Sequence, residues 1–432
     1  MGRNVSWVRI PRPPPKITIL RELGEPVAKK PKPAAPELYE SENDYPDPLH
    51  TTRSRLGGWK LVTSLSLGVI AVLVLSIGTV LGLTVQNLQS SLVTVELPSA
   101  PDAVLPTIGE IDGGFNVLVV GSDTRAGQGD GFEFVDTELN DVNLMVHVSE
   151  NHDHAVVVSF PRDLMLDIPA CPKTDGTESK PREMQPLNTT MSIGGLPCVA
   201  LTLESLMGLE IGYAGLMTFA GVAQLSTAVG GVEVCVAAPL IDPWSGINIP
   251  EAGYHTLEGY EALAFLRTRK GVGDGSDLSR ISSQQVYMSA LVRTLQQDGV
   301  LNDVGKLYGL AQVAAQTMVL STSLGSVDVM VAMARALRGI PNDDIVFIQY
   351  PVIDADPELY PGRVVPNESL AADVIARLQA DESFTVAAGS SGYGSTAADS
   401  DASQGSDSGS QSDVVEGLVG QTAGDETCTV PR

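Results

Sequence analysis

The chain has 432 residues, with 27 Lys+Arg against 52 Asp+Glu and a formal net charge of −25. That length exceeds one typical domain, and 43% apolar residues can supply a core. The acidic balance excludes sequence-independent binding of nucleic acid, which needs a basic face. Charge is also uneven: residues 1–60 carry 11 basic and 7 acidic residues, residues 61–85 carry neither, and the remaining 347 carry 16 and 45.

Residues 1–58 are rich in Pro and charge (PRPPPK, KKPKPAAPE, YPDP), so a disordered arm is expected there. From Leu61 to Val85 the chain runs 25 residues without a charge. About 20 apolar residues suffice to cross a bilayer as a helix, so residues 59–85 predict one transmembrane segment. Arg53, Arg55 and Lys60 precede it, and the next basic residue is Arg125. Positive-inside bias then keeps the arm cytoplasmic and exports the rest, giving a single-pass cell-membrane protein. Residues 86–110, with TVELPSAPDAVLP at their centre, read as a stalk.

A globular pattern with a C-terminal extension follows over residues 111–385. The short apolar runs FNVLVV (115–120), VNLMVHV (142–148) and HAVVVSF (154–160) predict buried strands. VALTLESLMGL (199–209) and LMTFAGVAQLSTAVGG (216–231) predict helices, the second stopped by its glycines. ALAFLRTR (262–269) reads as extended, a long helix is expected to begin near Ser276 or Asp277, and Thr317–Leu337 reads as an amphipathic core helix. Alternating strands and helices indicate an α/β layered fold. Residues 386–432 collapse into a Ser/Gly/Asp-rich low-complexity tail, although Cys428 near its end could tie it back.

All four cysteines (Cys171, Cys198, Cys235, Cys428) lie on the exported side, where disulfides persist. Three connectivities are open, and Cys171 with Cys198, flanking one polar Pro-rich loop, is the first pair expected.

Standard enzyme signatures are mostly absent: no HExxH, GxxxxGK[ST], GxSxG, or GxGxxG behind a strand. His152 and His154 fall in a loop between strands and suggest a solvated turn. The scarce basic residues say more. Arg267, Arg269, Lys270 and Arg280 fall within 14 positions of a strongly acidic segment. A helix begun at Asp277 puts Arg280, Gln284 and Tyr287 on one face, while Leu278, Ile281, Met288, Val292 and Leu295 can pack on the adjoining one. Guanidiniums converging from several elements suit a polyanion such as a pyrophosphate, although salt bridges to surplus carboxylates explain part of the cluster. Asp123 follows the first strand, Asp141 opens the second, and Arg162 and Asp163 end the third, all at one sheet edge if neighbours pair. Ligands of α/β sheets bind beyond the carboxyl ends of strands, and two Asp beside phosphates can hold Mg²⁺ (or Mn²⁺).

GFNVLVVGSDTR, DVNLMVHVS, VVVSFPRDLMLDIP, AVGGVEV and ALAFLRTRKGVGDGSDLSR followed by QQ together resemble the LytR-CpsA-Psr (LCP) family over roughly residues 112–300. The style, including PLIDPWSGINIPEAGYHTLEGYEAL, is similar to actinobacterial members. The resemblance implies a three-layer α-β-α domain with a mixed central sheet behind one membrane helix. It implies a phosphotransferase that moves a glycopolymer from a polyprenyl pyrophosphate lipid to a peptidoglycan acceptor, with no nucleic-acid partner. By motif match Asp123 and Asp141 would be the metal-linked carboxylates, either of them a possible base, and Arg162 and Arg280 would join them in catalysis. Arg125, Arg162, Arg267, Arg269, Lys270, Arg280 and Gln284 would hold the pyrophosphate. Many members carry DxxRxxRQ, whereas DLSRISSQ here puts Ser283 at the second Arg, so one cationic contact is either missing or supplied by Lys270 or Arg125. A lipid pyrophosphate phosphatase and a non-enzymatic envelope-binding or regulatory protein are the alternatives.

Overall fold

Apolar residues on both faces of consecutive strands require cover on both sides, and the fold is built around that demand. The computed structural model describes residues 93–99, 111, 113–122, 139–173, 175–297, 299–398 and 413–432, together with Thr63, Ser66 and Ser76. Of the first of two compact units, residues 1–70, the described residues are Thr63 and Ser66, where the Ser66 hydroxyl donates to the Thr63 carbonyl at 3.1 Å. The expected membrane span at 59–85 therefore lies outside the described residues, those two and Ser76 excepted.

The second unit, residues 71–432, is organised on one mixed sheet. Its strands are β1 (Val93–Val95), β2 (Phe115–Ser122), β3 (Asn140–Val148), β4 (Ala155–Ser159), β5 (Tyr213–Met217), β6 (Met318–Ser321), β7 (Ile345–Gln349) and β8 (Gly420–Thr422). Their spatial order is β1-β6-β5-β2-β3-β4-β7-β8. β2 and β3 pair antiparallel with Ser122 opposite Asn140, and β3 and β4 pair antiparallel with Leu144 opposite Ser159. β5 runs parallel to β2 and β7 parallel to β4. The carboxyl ends of β2, β4, β5 and β7 thus share the edge where β3 begins.

The helices are α1 (Thr190–Met207), α2 (Phe219–Val229), α3 (Gly259–Arg267), α4 (Asp277–Gln297), α5 (Val304–Thr317), α6 (Val327–Leu337) and α7 (Glu368–Gln379). One sheet face, with Leu118, Val120, Met145 and Val158, is covered by Val199 and Leu203 of α1 and by Ala371, Val374 and Leu378 of α7. The opposite face, with Phe115, Val157 and Phe347, is covered by Met288 and Val292 of α4 and Val329 and Ala332 of α6. This is the three-layer arrangement. Among the described residues, Leu187–Met207 is long and apolar enough to cross a membrane, but 56% of its apolar window is buried and the helix breaks at Gly194–Gly195, with Gly195 at φ 66°. It is a core helix.

Several expectations need correction. β1 lies inside the stretch read as a stalk, because its β-branched VTV sequence pairs parallel with β6 and Leu97 enters the core. ALAFLR is helical, not extended: Ala and Leu favour helix, and Ala262, Leu263, Ala264 and Phe265 of α3 are buried. The expected helix at 317–337 is a strand, a short 3-10 turn and α6, since Met318–Ser321 is claimed by the sheet between β1 and β5. The helix at 216–231 starts only at Phe219, where Thr218 caps it by accepting from the Gly221 N–H, and the helix at 199–209 begins earlier, at Thr190.

The described part of the tail is built into the domain. β8 closes the central sheet, and strands Ser395–Ala397 and Thr427–Thr429 join Val232–Val236 and Gly253–Leu257 in a second sheet beside α4. Two disulfides are present: Cys171–Cys198, with Cα atoms 5.1 Å apart, and Cys235–Cys428, at 4.4 Å.

Candidate functional site

The shared strand edge opens into a cavity of about 580 Å³ between the sheet and α2, α3, α4 and α5. Its interior is apolar, with Leu144, Val157, Val222, Leu263, Met288, Leu291, Leu310 and Phe347. Its remaining lining includes Ser122, Asp141, Ser159, Arg162, Arg267, Arg269, Arg280 and Gln284. One cavity therefore joins a cationic, hydrogen-bonding part to a hydrocarbon-lined one.

Asp141 is the second residue of β3, and its position is fixed by its neighbour. Asn140 is fully buried; its amide nitrogen donates to Asn143 at 2.6 Å, and its oxygen accepts from Thr190 and from the Met191 backbone at the start of α1. Asp141 Oδ1 accepts from Arg162 Nη1 at 2.5 Å. Arg162 stands in the turn after β4, where its Nε is 3.6 Å from Asp277 and 3.7 Å from Asp163. Burial opposes the charge on Arg162, but the hydrogen bond and charge of Asp141, with Asp277 and Asp163 behind it, outweigh that penalty and push its pKa up. Asp163 is held in turn by Arg363.

Asp277 opens α4 and is 7% exposed; its Oδ1 lies 2.6 Å from Arg280 Nη2, one turn along. Arg280 Nη2 also donates to the Asp141 carbonyl at 2.8 Å, tying α4 to the start of β3. The result is a continuous chain of charge, Arg280–Asp277–Arg162–Asp141, spanning three elements. The Gln284 amide donates to the Leu266 carbonyl at the end of α3 at 2.9 Å.

Arg267 ends α3 with its guanidinium carbon 4.4 Å from the centre of the Phe219 ring, a cation–π contact between α3 and α2. The loop beyond it is fixed by Asp242, whose Oδ2 accepts from Thr268 Oγ1 at 2.7 Å and from the Gly271 N–H at 3.2 Å. Burial raises the Asp242 pKa, but the hydrogen bonds from Thr268, Trp244, Gly271 and Arg269 overcome it and the net shift is downward. This loop carries Arg269, which lines the cavity with its buried Nε unpartnered among the described residues. Lys270 is exposed and does not line the cavity.

Asp123 and Arg125 lie outside the described residues. Among the described residues no group of three or more His, Cys, Asp or Glu gathers as a metal cluster. Asp141 does offer a hard carboxylate oxygen beside the cavity, with Oδ2 remaining once Oδ1 is held by Arg162. Ser283 is 1% exposed and bonds Thr429 of the tail at 3.1 Å, so that position faces the second sheet.

Sequence reasoning missed three residues that set this geometry. Asp277 was visible only as a helix start, although its i,i+3 spacing to Arg280 is a signal. The bonds that tie Asn140 to Thr190 and Met191, and Asp242 to Thr268 and Gly271, span 26 to 51 residues, and no local pattern marks them.

A sequence model of the LytR_cpsA_psr family matches residues 85–371. The cell wall biosynthesis protein LcpA of Corynebacterium glutamicum is 28% identical over 272 residues, 57% of this chain and 51% of that protein. The polyisoprenyl-teichoic acid–peptidoglycan teichoic acid transferase TagT of Bacillus subtilis is 28% identical over 183 residues, 41% of this chain and 52% of that protein. The chain thus spans about half the length of the curated relatives it matches. Among solved structures, the LytR-CPS2A-psr family protein YwtF (TagT) with bound octaprenyl pyrophosphate lipid aligns with a TM-score of 0.46 at 21% identity, covering 66% of this chain and 98% of that one. With two-thirds of its length matched by the family model, the chain belongs to the LytR-CpsA-Psr family.

Proposed function

We propose that the protein is a membrane-anchored phosphotransferase that moves a glycopolymer from a polyprenyl pyrophosphate carrier to peptidoglycan. The observation that carries the reading is the union of Arg162, Arg269, Arg280 and Gln284 with a hydrocarbon-lined interior in one cavity. A pyrophosphate joined to a long apolar chain has that same division. Family membership and the transferase name of TagT support it. The segment 59–85, uncharged from Leu61 onward, would anchor the domain outside the cell, with a cytoplasmic arm before it.

In the proposed reaction an acceptor hydroxyl attacks the glycan-side phosphorus and the bridging P–O bond breaks. The lipid leaves as polyprenyl monophosphate, and the hydroxyl proton passes to a carboxylate, Asp141 or Asp123. Phosphoryl transfer depends on positioning and charge neutralisation more than on a covalent nucleophile. Arg162 and Arg280, each fixed by Asp277, supply a preorganised positive field, and Arg269 adds a third guanidinium. Asp141 and Asp123 would hold Mg²⁺ (or Mn²⁺), which supplies Lewis-acid polarisation of a phosphoryl oxygen when bound.

The test is turnover by the full chain in detergent with Mg²⁺ and a lipid-linked saccharide. Polyprenyl monophosphate should appear only when a glycan acceptor is present, and Arg162→Ala should abolish its formation. Acceptor-independent release at the same rate would make the protein a lipid pyrophosphate phosphatase, and lipid affinity without turnover a binding protein.

A further inference from the structure

Along α4 the residues that line the cavity change character in order: Arg280, then Gln284 and Gln285, then Tyr287 and Met288, then Leu291 and Leu295. Gln285 sits where charge gives way to hydrocarbon. It is 2% exposed, and neither its Nε2 nor its Oε1 makes a hydrogen bond among the described residues. Its neighbour Gln284 is satisfied by the Leu266 carbonyl, and the Gln285 backbone carbonyl accepts from Gln421 Nε2 at 3.1 Å, so the helix around it is well ordered.

A buried primary amide with no partner is costly, because it surrenders its hydrogen bonds to water and gains none. A leucine or methionine would fill the same volume without that cost. Unsatisfied polar groups that persist in a folded core concentrate where function needs them. Gln285 also has three side-chain torsions, so its amide can turn into the cavity without moving α4.

We propose that Gln285 is a specificity residue that donates from Nε2 to an oxygen of the lipid-side phosphate, at the point where the isoprenoid chain begins. The inference rests on the proposed function, since it needs a phosphorylated isoprenoid in the cavity. It goes further in assigning the headgroup-to-chain junction to a residue outside the arginine cluster. The amide would select against an isoprenoid that lacks the phosphate, because such a ligand leaves it unpartnered.

The experiment uses the full chain in detergent, with farnesyl diphosphate and farnesol as probes, and reads binding by calorimetry and the unliganded melting midpoint by scanning fluorimetry. Gln285→Leu should melt at or above the wild-type temperature while binding farnesyl diphosphate about tenfold more weakly and farnesol no more weakly. Gln285→Met, closer in shape, carries the same expectation and covers a failure of the leucine variant to fold. Wild-type affinity for farnesyl diphosphate in either variant overturns the proposal. So does a lower midpoint with equal losses for both probes, which marks a packing role. A wild-type protein that binds neither probe refutes the functional reading itself, a result distinct from either of these.

Discussion

Arg280 is 6% exposed, and a guanidinium so far from water needs partners on every side. Asp277 supplies one at 2.6 Å and the Asp141 carbonyl another at 2.8 Å. Removing one member of a buried pair leaves the other charge uncompensated, which costs about 3–5 kcal/mol. Arg162 still stands 3.6 Å from Asp277, so Arg280→Ala should destabilise the domain by no more than the lower end of that range. Asp277→Ala combined with Arg280→Ala should cost less than the two single changes together, because the second substitution removes the charge the first has stranded. Chemical denaturation of the four proteins checks this, and strict additivity would mean that the two side chains do not act as a pair. Arg280→Lys should keep the charge and still lose turnover: Nη2 alone contacts Asp277 and the β3 carbonyl, and an ammonium in its place has no second nitrogen to offer an anion in the cavity.

The element that carries these residues is clamped from behind. Gly394 lies so close to α4 that a Cβ there would stand 1.9 Å from the Ser279 carbonyl oxygen, which admits only glycine. Thr429 bonds Ser283, Gln421 bonds Ser289 at 2.6 Å, and Arg293 bonds the carbonyls of Ala423 and Asp425. Cys235–Cys428 makes the clamp covalent across a separation of 193 residues. Loss of such a bridge costs about 2–4 kcal/mol, much of it through the unfolded chain. Cys428→Ser should therefore lower stability by that order and raise amide exchange along Ser279–Ser289, with turnover falling as Arg280 loses its fixed position. Unchanged exchange in α4 would show that the tail does not hold it. The clamp also explains what was legible in the sequence. β2, β3, β4 and α4 announce themselves by local pattern, as does the convergence of Arg162 and Arg280 on one edge, because strand ends and helix faces follow from spacing. The extended reading of ALAFLR failed on a two-residue alternation too short to outweigh helix propensity. The tail was illegible because its strands are three residues each and are stabilised by partners far away in the chain.

Across the whole molecule, 45 acidic residues follow residue 85, so protonation should dominate how stability responds to pH. Carboxylates such as Asp242, held below their usual range, contribute only at the acid end, where stability is lost as pH falls through their folded pKa. His147 acts nearer neutrality. It sits on β3, with Nδ1 2.8 Å from Asn116 on β2 and Nε2 3.2 Å from Asp381, just past α7, so it latches the sheet to the C-terminal extension. Burial lowers its pKa; the charge and hydrogen bond of Asp381 oppose that shift, His154 adds to it, and the net direction is down. The unfolded chain titrates near about 6.5 and so binds a proton before the folded one does. Stability is thus fully present above that value and is lost as pH falls from about 6.5 toward the folded pKa, after which this residue contributes no further change. His147→Gln keeps a hydrogen-bonding side chain without the titration. Its free energy of unfolding should be flatter than wild type between about pH 7 and pH 5, and identical slopes for the two proteins would remove His147 as the source.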